Sequence, residues 1–411
     1  MPRIYLDNAA TSWPKPESVY QAVDRYQREN GAPAGRSGYV EAVEASRIVS
    51  EARRLTARLL GVSDPRRIVW AQNGTDALNL ALHGLLRPGD HVVTTDVEHN
   101  SVLRPLHWLA EHRSVETTYV PCDGTGWVDP GAIAQAIRPT TRLIVITHAS
   151  NVTGAVQDLA AIGDISSQRG TLLLVDAAQT LGQWPLCLSD DARVSGDAGN
   201  SGDAGVSTEA VGELRRGLSG VDLIAAPGHK GLLGPLGTGL LYVGPRAEPL
   251  LETVRQGGTG TSSEDERQPR ELPERFEPGN LNVAGLAGLA SGLAHVLDTS
   301  VEAMREHHGR LTQRLIDGLD GLGGVRRHGP ATADRQVGVV GFELSGYDPQ
   351  ELSALLDASF GVQCRAGLHC APRVHRSLGT LDRGGLVRFS VGWRTTADEI
   401  DAAVAALAAL V

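Results

Sequence analysis

The sequence predicts an α/β protein with a mostly parallel β-sheet, from two observations. Short apolar runs of strand length recur, and amphipathic stretches with helical spacing lie between several of them. The strand-like runs are RRIVWAQ, HVVTTD, TRLIVITHAS, TLLLVDAAQ, VDLIAAP and GTGLLYVG. Buried strands that alternate with helices are typical of a sheet covered on both faces, whose ligands bind at the carboxyl ends of the strands.

Helix-like stretches separate several of these runs, and the pattern changes from about residue 280 onward. The stretches are ESVYQAVDRYQREN, DALNLALHGLL and DPGAIAQAI. The later part has the helical GLAGLASGLAHVL, a long helix, VGVVGFEL, ELSALLDASF, LVRFSVG and a terminal Ala/Leu helix. We therefore predict a large domain over residues 16–260 and a smaller α+β domain formed by residues 1–15 and 261–411. Residues 189–220, with repeated SGDAG, are predicted to be a flexible insertion, and TGTSSEDERQPRELPERF a long loop.

Composition excludes several classes of protein. The formal net charge of −10 over 411 residues argues against nucleic acid as the main partner. No run of about 18 apolar residues predicts a membrane span, and the N-terminus lacks the pattern of a signal peptide. The cysteines show no CxxC spacing, so they indicate neither a disulfide scaffold nor a metal site, and a reduced cytoplasmic setting fits best. They are Cys122, Cys187, Cys364 and Cys370.

Polar residues follow two of the strand-like runs. Asp176 and Gln179 end TLLLVDAAQ, and Lys230 follows VDLIAA in the glycine-rich APGHKGLLGPLGTG. Taken singly, the aspartate reads as a helix N-cap and the lysine as a solvated charge. Together they match a pyridoxal-phosphate site, where a lysine must lose its proton to form a Schiff base. An aspartate beside the pyridine nitrogen keeps the ring protonated, so that it can absorb carbanion charge.

Two further segments fit the same site. Gly74 and Thr75 lie between RRIVWAQ and a predicted helix, where backbone N–H groups favour a phosphate, although simple N-capping is the alternative. His99 follows HVVTTDV and could stack on a cofactor ring and carry a proton, although a lone histidine is more often structural.

Cys370 differs from the other cysteines in its surroundings. It lies in CRAGLHCAPRVH beside Gly367, His369 and Pro372, a segment too broken for a regular core element. A free cysteine is usually a small buried hydrophobe, which is our interpretation of the other three. A cysteine flanked by Gly and Pro, with His and Arg nearby, fits a mobile and reactive thiol better.

These segments together resemble the cysteine desulfurases of the class V aminotransferase group, which are fold-type I pyridoxal-phosphate enzymes. The likeness runs nearly end to end, through YLDNAATS, QNGTDALN, EHNSV, SNVTG, VDAAQ, GHKGLLGPLGTG, FEPGNLN, RAGLHCAP and VRFS. RAGLHCAP resembles the SUF-like branch, whose catalytic-cysteine loop is short. The resemblance implies a cofactor-binding large domain with a seven-stranded type of sheet, a small domain that carries the cysteine loop, and a homodimer. It also implies L-cysteine as substrate, a sulfur-acceptor protein or thiol, and a link to iron–sulfur cluster assembly.

The resemblance implies a role for each candidate residue. Catalysis is assigned to Cys370, Lys230 and His99. Cofactor binding is assigned to Lys230, Asp176, Gln179, His99, Gly74, Thr75, His229 and Asn280. Substrate binding is assigned to Asn151, Arg388 and Arg365, of which Asn151 and Arg388 grip the carboxylate and Arg365 lines the cysteine loop.

The chain departs from the family pattern at two positions of the phosphate grip. Pro227 stands where relatives commonly have Ser or Thr, so one hydroxyl donor is lost. Asn280 stands where they commonly have a threonine that reaches the partner subunit's phosphate, and its amide has a different reach.

The resulting hypothesis is a cysteine desulfurase that transfers substrate sulfur to Cys370 and releases L-alanine. Selenocysteine lyase, cysteine-sulfinate lyase or an epimerase on the same fold are alternatives. Attack on sulfur needs the Cys370 thiol, whereas elimination does not. A non-catalytic scaffold is disfavoured because Lys230, Asp176, His99 and Cys370 all occur together. A nucleotide-binding protein is disfavoured because no GxGxxG follows a first strand and no GxxxxGK[ST] occurs.

Overall fold

The structure is a computed structural model that describes residues 3–35, 37–188, 218–261 and 264–411. All but the last three residues of the predicted flexible insertion 189–220 lie outside the described residues. The strands, numbered in chain order, are β1 Ile4–Tyr5, β2 Ile68–Ala71, β3 His91–Thr95, β4 Glu116–Val120, β5 Thr141–Thr147, β6 Leu172–Asp176, β7 Leu223–Pro227, β8 Gly239–Val243, β9 Val325–His328, β10 Val339–Leu344, β11 Val362–Gln363, β12 Arg365–Gly367 and β13 Leu386–Ser390.

The α-helices of the described ranges alternate with the strands in the first half of the chain. They are α1 Glu17–Arg25, α2 Val40–Leu60, α3 Gly74–Leu85, α4 Asn100–Arg113, α5 Pro130–Ala136, α6 Leu159–Arg169, α7 Val283–Thr299, α8 Val301–Asp320, α9 Pro349–Phe360, α10 Pro372–Ser377 and α11 Ala397–Ala408. A π-helical turn over Tyr26–Asn30 extends α1. No helix within these ranges is both long and apolar enough to cross a membrane.

A seven-stranded sheet forms the centre of the large domain. Its strand order is β2-β8-β7-β6-β5-β3-β4, and β8 runs opposite to the other six strands. The inner strands β6 and β7 are buried along their whole length, because helices cover both faces of a parallel sheet. The predicted fold class is confirmed.

One strand of this sheet was not predicted from the apolar runs. Strand β4 reads ETTYV and lies at the edge of the sheet, where only Val120 is fully buried. An edge strand contacts one neighbour and leaves much of its surface to solvent, so it needs no continuous apolar run. Its two adjacent threonines and its aromatic residue are nevertheless typical of strands.

Helix α7 packs with the large domain. Its residues Val283, Leu286, Leu289 and Leu293 belong to the same apolar cluster as the inner strands of the large sheet. The helix also contacts α1 and α2 more extensively than it contacts α8. We therefore propose that the domain boundary lies near Ser300, between α7 and α8, and not at residue 260.

The small domain has a separate core. Strands β12-β13-β10-β9 form an antiparallel sheet, on which Phe342 and Phe389 pack edge to face with ring centroids 4.9 Å apart. The N-terminal strand β1 pairs in parallel with β11, so that Ile4 lies opposite Val362. Leu6 joins the apolar cluster of this domain. The first residues of the chain therefore pack with its C-terminal part, beside the carboxyl edge of the large sheet.

Candidate active site

The carboxyl edge of the large sheet brings several predicted residues to one place. Asp176 ends β6, Lys230 follows β7 by three residues, and His99 directly precedes α4. A cleft of about 480 Å³ opens beside them, a size typical of small-molecule sites. Its lining includes Thr75, His99, Ser101, Arg104 and Cys370. Residues of α3, of α4 with its N-cap His99, and of the small domain thus share one cleft, whereas Lys230 and Asp176 do not line it.

Lys230 and Asp176 form the electrostatic centre of the site. Burial lowers the pKa of the Lys230 amine to about 8, although Asp176 opposes this shift. Burial also raises the pKa of Asp176, against the effects of the Ala178 N–H and Lys230. The Ala178 N–H donates to Asp176 Oδ1 at 2.9 Å, and no other residue of the described chain donates to this carboxyl group. The lysine can therefore lose its proton near neutral pH, and the aspartate is suited to a further cationic partner.

The N-terminal segment closes one side of this centre. The buried Gln179 amide donates to the Ala9 carbonyl at 3.1 Å. Lys15 donates to Ser12 Oγ at 2.6 Å and to the His229 carbonyl at 2.7 Å. Burial lowers the pKa of Lys15 to about 7. The sequence prediction missed Lys15, because its neighbour His229 lies more than two hundred residues away in the chain.

The start of helix α3 supports a phosphate role for Thr75. The side chain of Asn73 caps this helix by accepting from Asp76 N, so Thr75 is not the N-cap. Instead, Thr75 Oγ1 lies 2.7 Å from Ser101 Oγ, and the two hydroxyls share a hydrogen bond. Ser101 was also missed, although EHNS places it in the first turn of a helix. The pair offers hydroxyl donors at the N-termini of two helices, which favour anions.

Pro227 lies against Gly74, next to the Thr75–Ser101 pair. A Cβ atom on Gly74 would lie 3.1 Å from Pro227 Cδ, so the glycine permits close approach of the two segments. Pro227 is buried at the end of β7 and provides no hydroxyl. Beside it, His229 Nδ1 is buried and has no hydrogen-bond partner in the described structure. Asn280 is exposed in the loop before α7 and does not line the cleft of its own chain.

His99 is neutral and has a defined tautomer. Burial lowers its pKa to about 4, with further lowering by the positive charges of Lys230 and Arg365. Its Nδ1 accepts from Ser101 N at 3.0 Å, so the ring proton resides on Nε2. His99 can therefore donate a hydrogen bond into the site through Nε2.

The cysteine loop reaches the cleft from the small domain. Arg365 Nη2 donates to Cys370 Sγ at 3.3 Å, and Asn100 N donates to the Cys370 carbonyl at 2.7 Å. Burial raises the pKa values of Cys122 and Cys364 to about 11. These two thiols therefore stay protonated at neutral pH, and both are partly buried against apolar clusters.

The two residues predicted to grip a substrate carboxylate lie together but are engaged with the protein. Arg388 is 1% exposed, binds Asp7 Oδ1 through Nη2 at 2.6 Å, and donates to the Asn151 carbonyl at 3.0 Å. Its Nε is buried and has no partner among the described residues. The amide of Asn151 donates to the His369 carbonyl at 2.7 Å. A substrate carboxylate would share Arg388 with Asp7, which the sequence prediction missed.

Glu98 is a buried acid next to the site. Its Oε1 accepts from Thr95 Oγ1 at 2.7 Å and from Thr147 N at 3.0 Å. Its Oε2 is buried and has no hydrogen-bond partner in the described structure. Burial raises the pKa of Glu98 from 4.5 to about 8, so the folded protein keeps a proton that the unfolded chain releases over this range.

We expect Glu98→Gln to remove one source of pH-dependent instability. As the pH rises from about 5 to about 8, the wild type loses unfolding free energy through this group, by up to about 1.4 kcal/mol per pH unit. The glutamine amide mimics the protonated acid and does not titrate. In urea unfolding at several pH values, the free energy of unfolding of the variant relative to that of the wild type should increase as the pH rises. If the difference in unfolding free energy between the two proteins does not change with pH, Glu98 is already ionised in the folded protein.

Comparison with known proteins finds similarity over nearly the whole chain. The family model described as aminotransferase class-V matches residues 4–191 and 217–403. A probable cysteine desulfurase of Methanothermobacter thermautotrophicus is 34% identical over 401 residues, which cover 97% of this chain and 92% of that protein.

Two solved structures of cysteine desulfurases are similar to this chain over nearly its whole length. The apo structure of a cysteine desulfurase from Thermococcus onnurineus NA1 has a TM-score of 0.86 and 29% identity, covering 100% of this chain and 94% of the other. The cysteine desulfurase CsdA of Escherichia coli has a TM-score of 0.81 and 26% identity, with 98% and 94% covered. The chain belongs to the aminotransferase class-V family.

Proposed function

We propose that this chain is a pyridoxal-phosphate-dependent cysteine desulfurase that moves sulfur from L-cysteine to Cys370 and releases L-alanine. The relatives named above carry the name cysteine desulfurase. The observation that carries the proposal is the shared cleft, in which the small-domain thiol of Cys370 lies with His99 and Thr75 of the large domain. A thiol at this place is needed to attack sulfur.

The residues present fit the cofactor. Lys230 would hold its aldehyde carbon, and Asp176, whose carboxyl group accepts from one N–H donor, would bind the pyridine nitrogen. The unpartnered Nδ1 of His229 and the hydroxyls of Thr75 and Ser101 suit the phosphate, and Ser101 would supply the donor that Pro227 lacks. When bound there, the cofactor supplies an electron sink for the substrate carbon skeleton.

Four further residues are assigned contacts with the cofactor because of where they lie in the structure. Gly74 lets the backbone approach closely, His99 would lie against the ring, and Gln179 would face the ring oxygen. Asn280 is exposed on its own chain, which suits a contact with the cofactor phosphate of a second subunit. We propose a homodimer on this basis.

The substrate would be held by charges already in place. Arg388 would bind the cysteine carboxylate with the edge that Asp7 leaves open, where Nε has no partner. Asn151 supports this arrangement, since its carbonyl accepts from the Arg388 guanidinium and its amide holds the cysteine loop. Lys230, with a pKa lowered to about 8 by burial, would take the proton from the substrate Cα.

The sulfur step then uses the cysteine loop. The Cys370 thiol gives up its proton, and its sulfur forms an S–S bond with the substrate sulfur. The bond from substrate Cβ to sulfur breaks, and its electron pair stays with the carbon skeleton, which takes up a proton and leaves as L-alanine. Cys370 is left as a persulfide. Arg365, 3.3 Å from Sγ, would balance negative charge at the attacking sulfur, and the neutral His99 would assist proton transfer by donating a hydrogen bond through Nε2.

The persulfide requires an acceptor. A second thiol, on a sulfur-carrier protein or a small reductant, would take the terminal sulfur and regenerate Cys370. Cys122, Cys364 and Cys370 are free thiols in the structure, which suits a reducing compartment, and we propose the cytoplasm. Supply of sulfur for iron–sulfur cluster assembly is one use of this product.

Product analysis tests the proposal. Incubation of the purified holoprotein with L-cysteine and excess dithiothreitol should release sulfide and L-alanine in equal amounts. Selenocysteine and cysteine sulfinate serve as competing substrates in parallel assays. Efficient turnover of either one, with no alanine from cysteine, would assign the chain to the lyases instead.

A further inference from the structure

The short helix after Cys370 is fastened to the large domain by a small group of side chains. Arg373 Nε binds Asp96 Oδ1 at 2.8 Å, and Ser377 Oγ donates to Asp96 Oδ2 at 3.0 Å. The Arg373 guanidinium also lies over the Tyr119 ring, with Cζ 3.7 Å from its centroid. We name these four residues the Asp96 latch. Both oxygens of one carboxylate at the end of β3 thus hold α10.

The latch is more enclosed than the exposed ion pairs of the chain. The side chains of Asp96 and Arg373 are 16% and 31% exposed, whereas those of Glu116 and Arg138 are 69% and 52% exposed. Partial exclusion of water strengthens an ion pair and a cation–π contact at the same site. Glu116 begins the strand on which Tyr119 lies, so the Glu116–Arg138 pair is a matched control.

Between the latch and the cleft lies a turn that is unfavourable by itself. His369 and Cys370 have φ values of 48° and 60°, in the left-handed region that residues with a Cβ avoid. The Asn151 amide holds the His369 carbonyl, and Asn100 N holds the Cys370 carbonyl. Such a turn persists only where its surroundings fix it from several sides. The large domain therefore holds the turn before and at Cys370, and the latch holds it just after.

We propose that Asp96 and Arg373 are positioning residues that set the place of Cys370 Sγ for attack on the substrate sulfur. Residues 96–100 and 370–377 are joined at both ends, by the latch and by the bond from Asn100 N to the Cys370 carbonyl. No residue of the Asp96 latch lines the cleft, so Asp96 and Arg373 act through the backbone of the cysteine turn. This inference rests on the proposed desulfurase function for its kinetic consequence.

Three variants test the latch in the holoprotein. Arg373→Leu removes the charge and the planar group, Arg373→Lys keeps the charge, and Arg138→Leu breaks the control pair. We expect Arg373→Leu to lower kcat for alanine release by about 10- to 100-fold, because small misplacements of reacting groups are costly. The KM for cysteine and the cofactor absorbance should stay near wild type. Arg373→Lys should recover much of kcat, and Arg138→Leu should leave it unchanged.

A second measurement needs no substrate. The rate at which iodoacetamide alkylates Cys370, followed by mass spectrometry of its peptide, reports the freedom of the turn directly. Arg373→Leu should change this rate several-fold, and Arg138→Leu should not. An unchanged alkylation rate in Arg373→Leu overturns the latch, as does a fall in kcat that only follows loss of cofactor absorbance. Alkylation is independent of turnover. If the wild type forms no alanine, the desulfurase proposal is overturned, and the alkylation rates still test the Asp96 latch.

Discussion

Lys230→Ala should abolish both the near-visible absorbance of the bound cofactor and the turnover of cysteine. Lys230 is the only amine beside Asp176, and burial lowers its pKa to about 8, so no other group can replace it as attachment point and base. We expect the rate of alanine formation to fall by at least about 10³-fold. Absorbance spectra and an alanine assay, made on protein purified with added cofactor, check this expectation.

The sequence provides a matched control for this variant. Lys15 and Lys230 are the only lysines of the chain, and Lys15 donates to the carbonyl of His229 beside Lys230. Lys15→Ala should keep the cofactor absorbance, whatever its effect on the rate. If Lys15→Ala loses the absorbance and Lys230→Ala keeps it, the attachment site is wrong.

Cys370→Ser should separate cofactor chemistry from sulfur transfer. The serine keeps the size of the side chain and should leave the absorbance intact, because Cys370 belongs to the small-domain loop and not to the strand ends around Lys230. Release of sulfide and alanine from cysteine should fall by at least about 10²-fold, since an alcohol is a far weaker nucleophile toward sulfur than a thiolate. The assay follows both products over time.

Another cysteine provides the control for this second variant. Cys364 lies in the same part of the small domain, where its thiol donates a hydrogen bond to Ser353 Oγ at 3.4 Å. Burial raises the pKa of Cys364 to about 11. Cys364→Ser should therefore retain turnover near wild type. Full activity of Cys370→Ser would exclude the persulfide route and favour elimination chemistry.

The strand ends could be predicted from sequence because their signal is local. An apolar run followed at once by a polar residue predicts both a buried strand and a side chain at its carboxyl edge, as for Asp176 in VDAAQ and Lys230 after VDLIAA. Strand β4 lacked this signal because an edge strand needs little apolar surface. For Thr75, the neighbouring Asn73 competes for the same capping role, and only the geometry shows which residue caps α3.

Contacts between distant segments could not be predicted in this way. Asp7 and Arg388 pair across 381 positions, and Asp96 and Arg373 across 277. No spacing rule connects such residues, because tertiary packing brings them together, within the small domain for Asp7 and Arg388 and between the two domains for Asp96 and Arg373. The same holds for the domain boundary, since α7 resembles any apolar helix in sequence, and its contacts with α1 and α2 determine the domain to which it belongs.

If sulfur passes through Cys370, the mass of that residue must rise during turnover. The holoprotein should be incubated with L-cysteine and no reductant, quenched by alkylation, and its peptides measured by mass spectrometry. We expect one added sulfur atom on Cys370, formed together with an equal amount of L-alanine and removed by dithiothreitol. Formation of alanine and sulfide while Cys370 remains unmodified throughout the turnover would contradict it.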